Sequence, residues 1–129
     1  MNAIKDEIEQ YQSFLEEPIS EEVEAAFQKG NELVVIIART GYLFADFKRT
    51  LNGKMQSEVM KSLKKIANET PFATSRTVNA LIDSLCREER FMVDWTERIN
   101  KSATHQLEYI RTIISYAKQE KYSTRQFNT

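Results

Sequence analysis

The 129-residue chain holds one cysteine, one histidine, one tryptophan, two prolines and three glycines, and each shortage removes a class of protein. A lone Cys86 excludes an intramolecular disulfide and a cysteine cluster, and fits a reducing compartment such as a cytosol. So few glycines and prolines cannot supply the turns of a many-stranded β fold. With His105 as the sole histidine, a metal site would have to draw on carboxylates and Cys86. No Glu-x-x-His pair of the di-iron bundle type occurs, and His105-Gln-Leu-Glu108 runs in the reverse order. There is no Gly-rich phosphate loop and no serine in a nucleophile-elbow pattern. The longest apolar run, Leu33 to Ala38, falls far short of the roughly 20 residues a membrane helix needs. The opening MNAIKDEIEQ lacks a basic, apolar signal pattern. These absences predict a soluble, cytoplasmic, non-enzymatic protein with no cofactor, no metal and no membrane partner.

What the chain does have is segregated charge. Residues 1 to 32 carry nine acids against two lysines, a net of −7, and residues 33 to 129 carry sixteen bases against ten acids, a net of +6. The overall charge of −1 conceals this. An acidic leader on a basic body implies either that the body meets a polyanion or that the leader pairs with a body, its own or a neighbour's.

The periodicity is helical throughout, and 129 residues leave room for one core. Ile4, Ile8, Tyr11 and Leu15 share one face of an acidic helix over residues 2 to 16, which Pro18 ends. We therefore expect an N-terminal acidic helix in residues 1 to 17 and a single helical domain in 18 to 129. Ser20 ahead of Glu21 and Glu22 is a candidate cap for a long second helix. In that helix Val23, Phe27, Val34, Ile37, Phe44 and Leu51 step by fours, threes and sevens, with Gly30 and Gly41 in register. This predicts a packed stripe, with the glycines permitting a close helix crossing or a bend. Residues 33 to 38, apolar nearly all round, predict cover on more than one side. Asn52-Gly53 reads as a helix stop, followed by a shorter helix through Met55, Val59, Leu63 and Ile66. The stretch around Pro71 reads as the interhelical loop. Beyond it Val78, Leu85, Met92, Ile99 and Ile113 keep a sevenfold spacing, seconded by Leu81, Trp95, Ala103, Ile110 and Ala117. This final helical region is expected to be long, with a possible kink in the polar patch at 101 to 106 and fraying after Tyr122. The fold class that follows is all-α: an elongated bundle of antiparallel long helices that self-associates.

Most residues with chemical potential have plain readings. His105 reads as a structural or exposed histidine, and Cys86, in register with Ile82 and Leu85, as a small buried hydrophobe. Asp94 to Arg98 and Glu97 to Lys101 read as surface ion pairs. Two basic stripes say more. Lys54, Lys61 and Lys65 fall on one face, opposite Met55, Val59, Leu63 and Ile66. Arg111, Lys118 and Arg125 form a sevenfold line along an apolar arc of Ile110, Ile113, Ile114 and Tyr116, with Lys121 and Tyr122 nearby. Cations neutralise phosphates while aromatic faces stack on unpaired bases, so this mixture suits a single-stranded nucleic acid. Exposed lysines and core tyrosines are also ordinary features of helices, and that reading stays open.

The arrangement of a long apolar helix through ELVVIIARTGYLFADF, a lysine-rich VMKSLKKIANE and a terminal SLCREERFMVDWTERINKSATHQLEYIRTIISYAKQEKY resembles the small recombination mediator proteins of tailed phages, the UvsY-like group, over roughly residues 20 to 127. The resemblance implies an all-helical protein that assembles into rings, binds single-stranded DNA and helps to load a recombinase. It places the family's central basic segment on Lys61, Lys64 and Lys65, and its oligomer-forming terminal helix on Leu107 to Tyr122. The acidic leader would then either cover the basic surface until DNA displaces it or clamp the next subunit. A competing expectation is a helical adaptor or inhibitor that binds a protein partner and no nucleic acid. The apolar load of residues 33 to 47 and the aromatics Phe44, Phe47, Phe91 and Trp95 favour it. On either reading Val34, Ile37, Phe44, Phe47, Ile110, Ile113 and Tyr116 are the candidate interface residues.

Overall fold

A computed structural model describes residues 2 to 69 and 75 to 127, and of these the side chains at 66 to 69, 75, 126 and 127 are left aside. The described residues form four helices and no strand: α1 (Asn2–Glu16), α2 (Val23–Glu69), α3 (Ser75–Leu85) and α4 (Arg87–Phe127). None is long and apolar enough to cross a membrane. The expected loop around Pro71 lies outside the described residues. The chain divides into two compact units, one running to Gly41 and resuming at Glu97, the other Tyr42–Thr96.

In the first unit, α1 buries Ile8 fully, with Ile4, Tyr11 and Leu15 half-buried on the same face, as the spacing predicts. Pro18 follows its end, and the Ser20 hydroxyl accepts a bond from the Glu22 amide at 3.1 Å, one turn of chain before α2. Along α2 the buried residues are Ala26, Gly30, Leu33, Ile36 and Thr40. Of the stripe expected to be packed, Val23, Phe27 and Val34 are 43%, 57% and 53% exposed, whereas Gly30 is buried, Ile37 is half-buried and Phe44 and Leu51 pack in the second unit. The reason is that α2 carries two adjacent seams of similar spacing. The one through Gly30, Ile37 and Thr40 meets Asn100, Leu107 and Ile110 of α4. A β-carbon at Gly30 would stand 3.4 Å from Ile110, and one at Gly41 would stand 3.7 Å from the Asn100 amide.

Two threonines are fully buried, each with its hydroxyl turned back to its own helix: Thr40 to Ile36 O at 2.7 Å and, in the second unit, Thr96 to Met92 O at 2.6 Å. Asn100 donates to Ile37 O at 2.9 Å and to the Thr40 hydroxyl at 3.0 Å, which satisfies the polar centre of the first unit.

The second unit has an apolar centre of Leu51, Ile82, Cys86 and Val93, with Phe44, Phe47, Met55 and Val78 packed on it. Cys86 is a buried free thiol, as its register predicts. Three expectations fail here and beyond. No helix ends at Asn52-Gly53: α2 runs on, and no glycine adopts the positive φ that a helix stop of this kind requires. Leu51 and Met55 pack on one core from either side of Gly53, and that contact outweighs a glycine cost of about 1 kcal/mol. The final helical region is interrupted at Cys86, not at 101 to 106, through which α4 is continuous. Bonds from Cys86 N to Ile82 O and from Arg90 N to Cys86 O, each 3.0 Å, carry the ladder past the joint. Nor does α4 end at Tyr122: it reaches Phe127, the last of the described residues.

Candidate nucleic-acid interface

The cations divide into those engaged in the fold and those left facing solvent. Arg39 forks onto Glu7 of α1, Nε to Oε1 at 2.8 Å and Nη2 to Oε2 at 3.1 Å, and the Tyr11 hydroxyl donates to the same carboxylate at 2.9 Å. The bond from Arg39, opposed by burial and helped by Tyr11, holds the Glu7 carboxyl below its usual value; burial and the bond to Glu7 push Tyr11 up. Lys29 donates to Glu17 O at 2.9 Å and Phe14 O at 3.4 Å with its ammonium 4.8 Å from the Phe14 ring centre, and Gln106 donates to Leu15 O at 2.7 Å. Orphan carbonyls at the end of α1 are thereby satisfied from α2 and α4. These contacts seat the acidic leader on Arg39 and Lys29. Its other side, with Asp6, Glu9 and Glu17, lines an open, shallow surface.

In the second unit Lys54 meets Glu89 at 2.7 Å; that bond lowers the Glu89 carboxyl and raises the Lys54 amine. Arg90 reaches Asp83 at 2.8 Å. Lys54 is therefore tied into the fold. Lys61 stands 3.7 Å from Glu58 and is 72% exposed, and Lys64 and Lys65 are exposed with no ion pair to a described residue. The apolar face expected opposite them packs only at Met55, since Val59 and Leu63 are exposed; the Ile66 side chain lies outside the described ones.

The flank of α4 in the first unit is better furnished. Arg111, Lys118, Lys121 and Arg125 are all exposed. Arg111, Lys118 and Arg125 recur at seven-residue spacing, which drifts only about 20° per step on an α-helix. Tyr122, 66% exposed, lies four residues after Lys118 and three before Arg125, so its ring stands between two cations on one face. Arg111, Lys118 and Lys121 form no ion pair with a described residue, and Glu120 is the only acid between Tyr109 and Arg125. Sequence periodicity places Tyr122 near the stripe; only the exposure shows that its ring is presented to solvent rather than buried. The opposite flank differs: a cavity of about 350 Å³ there is lined by Tyr109, Ile113 and Tyr116 but also by Glu21 and Glu120, whose charges oppose a phosphate.

The candidate interface residues separate as well. Ile110 is fully buried in the first unit, and Phe44 and Phe47 pack on the centre of the second. Ile37 and Ile113 are half-buried, while Val34 and Tyr116 remain exposed. The Phe91 and Trp95 rings lie against each other, centroids 5.5 Å apart and planes tilted by 37°. Glu97 pairs with Lys101 at 3.0 Å, and His105 is exposed beside Glu108 at 3.7 Å. Among the described residues no three His, Cys, Asp or Glu side chains gather as metal ligands would. No family model, no curated protein and no solved structure matches this chain.

Proposed function

We propose that this chain is a non-catalytic accessory protein that binds single-stranded DNA in recombination or replication of the phage type, acting as a homo-oligomer of elongated, antiparallel helical bundles in the cytoplasm of a bacterial host. The observation that carries this reading is the α4 flank. There an exposed Tyr122 stands between Lys118 and Arg125, with Arg111 and Lys121 beside them. Cations at about 10 Å intervals along a helix neutralise a backbone, and an open aromatic face stacks on an unpaired base whatever its identity. Lys61, Lys64 and Lys65 supply a second basic surface, and help in loading a recombinase is the role that the UvsY-like resemblance adds.

Fluorescence anisotropy of a labelled single-stranded oligonucleotide tests it. Reversing Arg111, Lys118 and Lys121 to glutamate should abolish binding at low salt, and Tyr122→Ala should weaken it by about 1–3 kcal/mol while leaving its salt dependence in place. Unchanged affinity in the charge-reversed variant would overturn the reading.

A second reading, a helical adaptor or inhibitor for a protein partner, is favoured by the exposed Phe27, Val34 and Val35 and by an apolar groove beside them lined by Tyr11, Phe14, Val35 and Ile36. Binding through such a face responds little to salt.

A further inference from the structure

The face of α2 that the first unit leaves uncovered has the pattern of a helix that expects another helix. Val23, Phe27, Val34, Ala38 and Gly41 are all exposed. At about 100° per residue they fall within roughly 60° of arc. The stripe carries no charge along about 27 Å of helix. Phe27 and Val34 stand seven residues apart, the coiled-coil spacing, beside the seam that meets α4, and Gly41, seven further on, borders that seam at Asn100. Phe27 and Val34 are 57% and 53% exposed, in a helix whose other seam is close-packed.

The order of residues along this stripe says what covers it. Its large side chains, Val23 and Phe27, lie toward the N-terminal end, and its small ones, Ala38 and Gly41, toward the other. A second copy of α2 laid antiparallel and centred near residue 32 brings Phe27 onto the second copy's Ala38, Val23 onto its Gly41 and Val34 onto its Asn31. Each large residue then meets a smaller one. A parallel copy would instead set Phe27 against Phe27 and Gly41 against Gly41, a clash at one end and a gap at the other. The seam is thus complementary to itself under a two-fold axis, which is the requirement for an isologous dimer.

We infer that the chain forms a two-fold dimer through the Val23–Gly41 face of α2. The inference rests on the self-association within the proposed function and names the surface that carries it.

The test uses the full chain. Solution mass measured over a dilution series should show a dimer that dissociates on dilution. Val34→Lys and Phe27→Lys, both at exposed positions, should weaken association on the order of tenfold or more, with helical content unchanged. In a Cys86→Ala background, Asn31→Cys lies near the axis and should cross-link to itself under mild oxidation. Gly41→Cys, displaced from the axis by about 14 Å along the helix, should not. A wild-type chain that is monomeric at every concentration overturns the inference, as does an oligomer whose mass ignores Val34→Lys. Equal cross-linking at both cysteines would mean a parallel pair and overturn the register. A monomer that still binds single-stranded DNA sinks this inference and leaves the DNA reading, whereas a dimer that binds no DNA sinks only the latter.

Discussion

In the first unit most of the polar side chains that join helices reach backbone carbonyls, Lys29 to Phe14 and Glu17, Gln106 to Leu15 and Asn100 to Ile37, and one ion pair, Arg39 to Glu7, stands beside them. In the second they reach other side chains, Lys54 to Glu89 and Arg90 to Asp83, beside the apolar cluster of Leu51, Ile82, Cys86 and Val93. Carbonyl contacts fix where a helix end lies, and they do so one bond per backbone group. Ion pairs at a partly exposed edge fix less, and salt weakens them. Each unit keeps a buried oxygen without a hydrogen-bond partner among the described residues, Gln106 Oε1 in the first and Glu89 Oε2 in the second. The contrast also sorts the cations. Arg39, Lys54 and Arg90 each met a carboxylate on another helix or across the Cys86 joint, and Arg111, Lys118 and Lys121 met none among the described residues. The latter set is the one with a surface to offer.

The largest effects should come from the apolar centres. Ile110→Ala, at a fully buried position against Gly30, is expected to cost about 2–5 kcal/mol in urea unfolding. Asn100→Ala comes next and separates the units most sharply. It leaves the Ile37 carbonyl without this donor and should cost about 1–3 kcal/mol. Lys54→Met in the second unit should instead show a loss that shrinks in high salt. Equal, salt-independent losses from both would erase the distinction drawn above.

Gly53→Ala has the opposite sign. A β-carbon there meets nothing within 4 Å and the helix is continuous, so a gain of about 0.5–1 kcal/mol is expected in thermal or urea unfolding. A loss would mean a break at that position. The smallest effect concerns pH. Arg39 holds Glu7 below the usual 4.5 of a glutamate in the folded chain. A depressed carboxyl contributes stability that is present above its unfolded value and is lost as pH falls through the folded one. The difference between wild type and Glu7→Gln should therefore be full at pH 7 and shrink below about pH 4.5. A difference that grows with acid would reverse the assignment.

Much of this was legible in the residues. Helix-spaced apolar positions located α1, the long α2 and the interior of α4, and the register of Cys86 foretold its burial. The exposure of Val23, Phe27 and Val34 was hidden by a real ambiguity: two heptad patterns overlap in this part of α2, and spacing alone does not say which meets its own chain. The continuity at Gly53 was hidden because it depends on Leu51 and Met55 sharing a core with Ile82 and Cys86, a tertiary fact. The roles of Arg39 and Lys54 were hidden for a similar reason, their acids lying 32 and 35 residues away in sequence. For the candidate interface, spacing gave the cation line on α4 with Tyr122 near it, and exposure showed that ring open to solvent.

The most direct test of DNA contact through that flank is the salt dependence of single-stranded oligonucleotide binding, compared between the wild type and the Arg111→Ala, Lys118→Ala, Lys121→Ala triple variant. Each phosphate neutralised contributes about −0.7 to the slope of log affinity against log salt for single strands, so loss of three cations should flatten it by about 2. Identical slopes in the two proteins, or no binding by the wild type at low salt, would contradict the account.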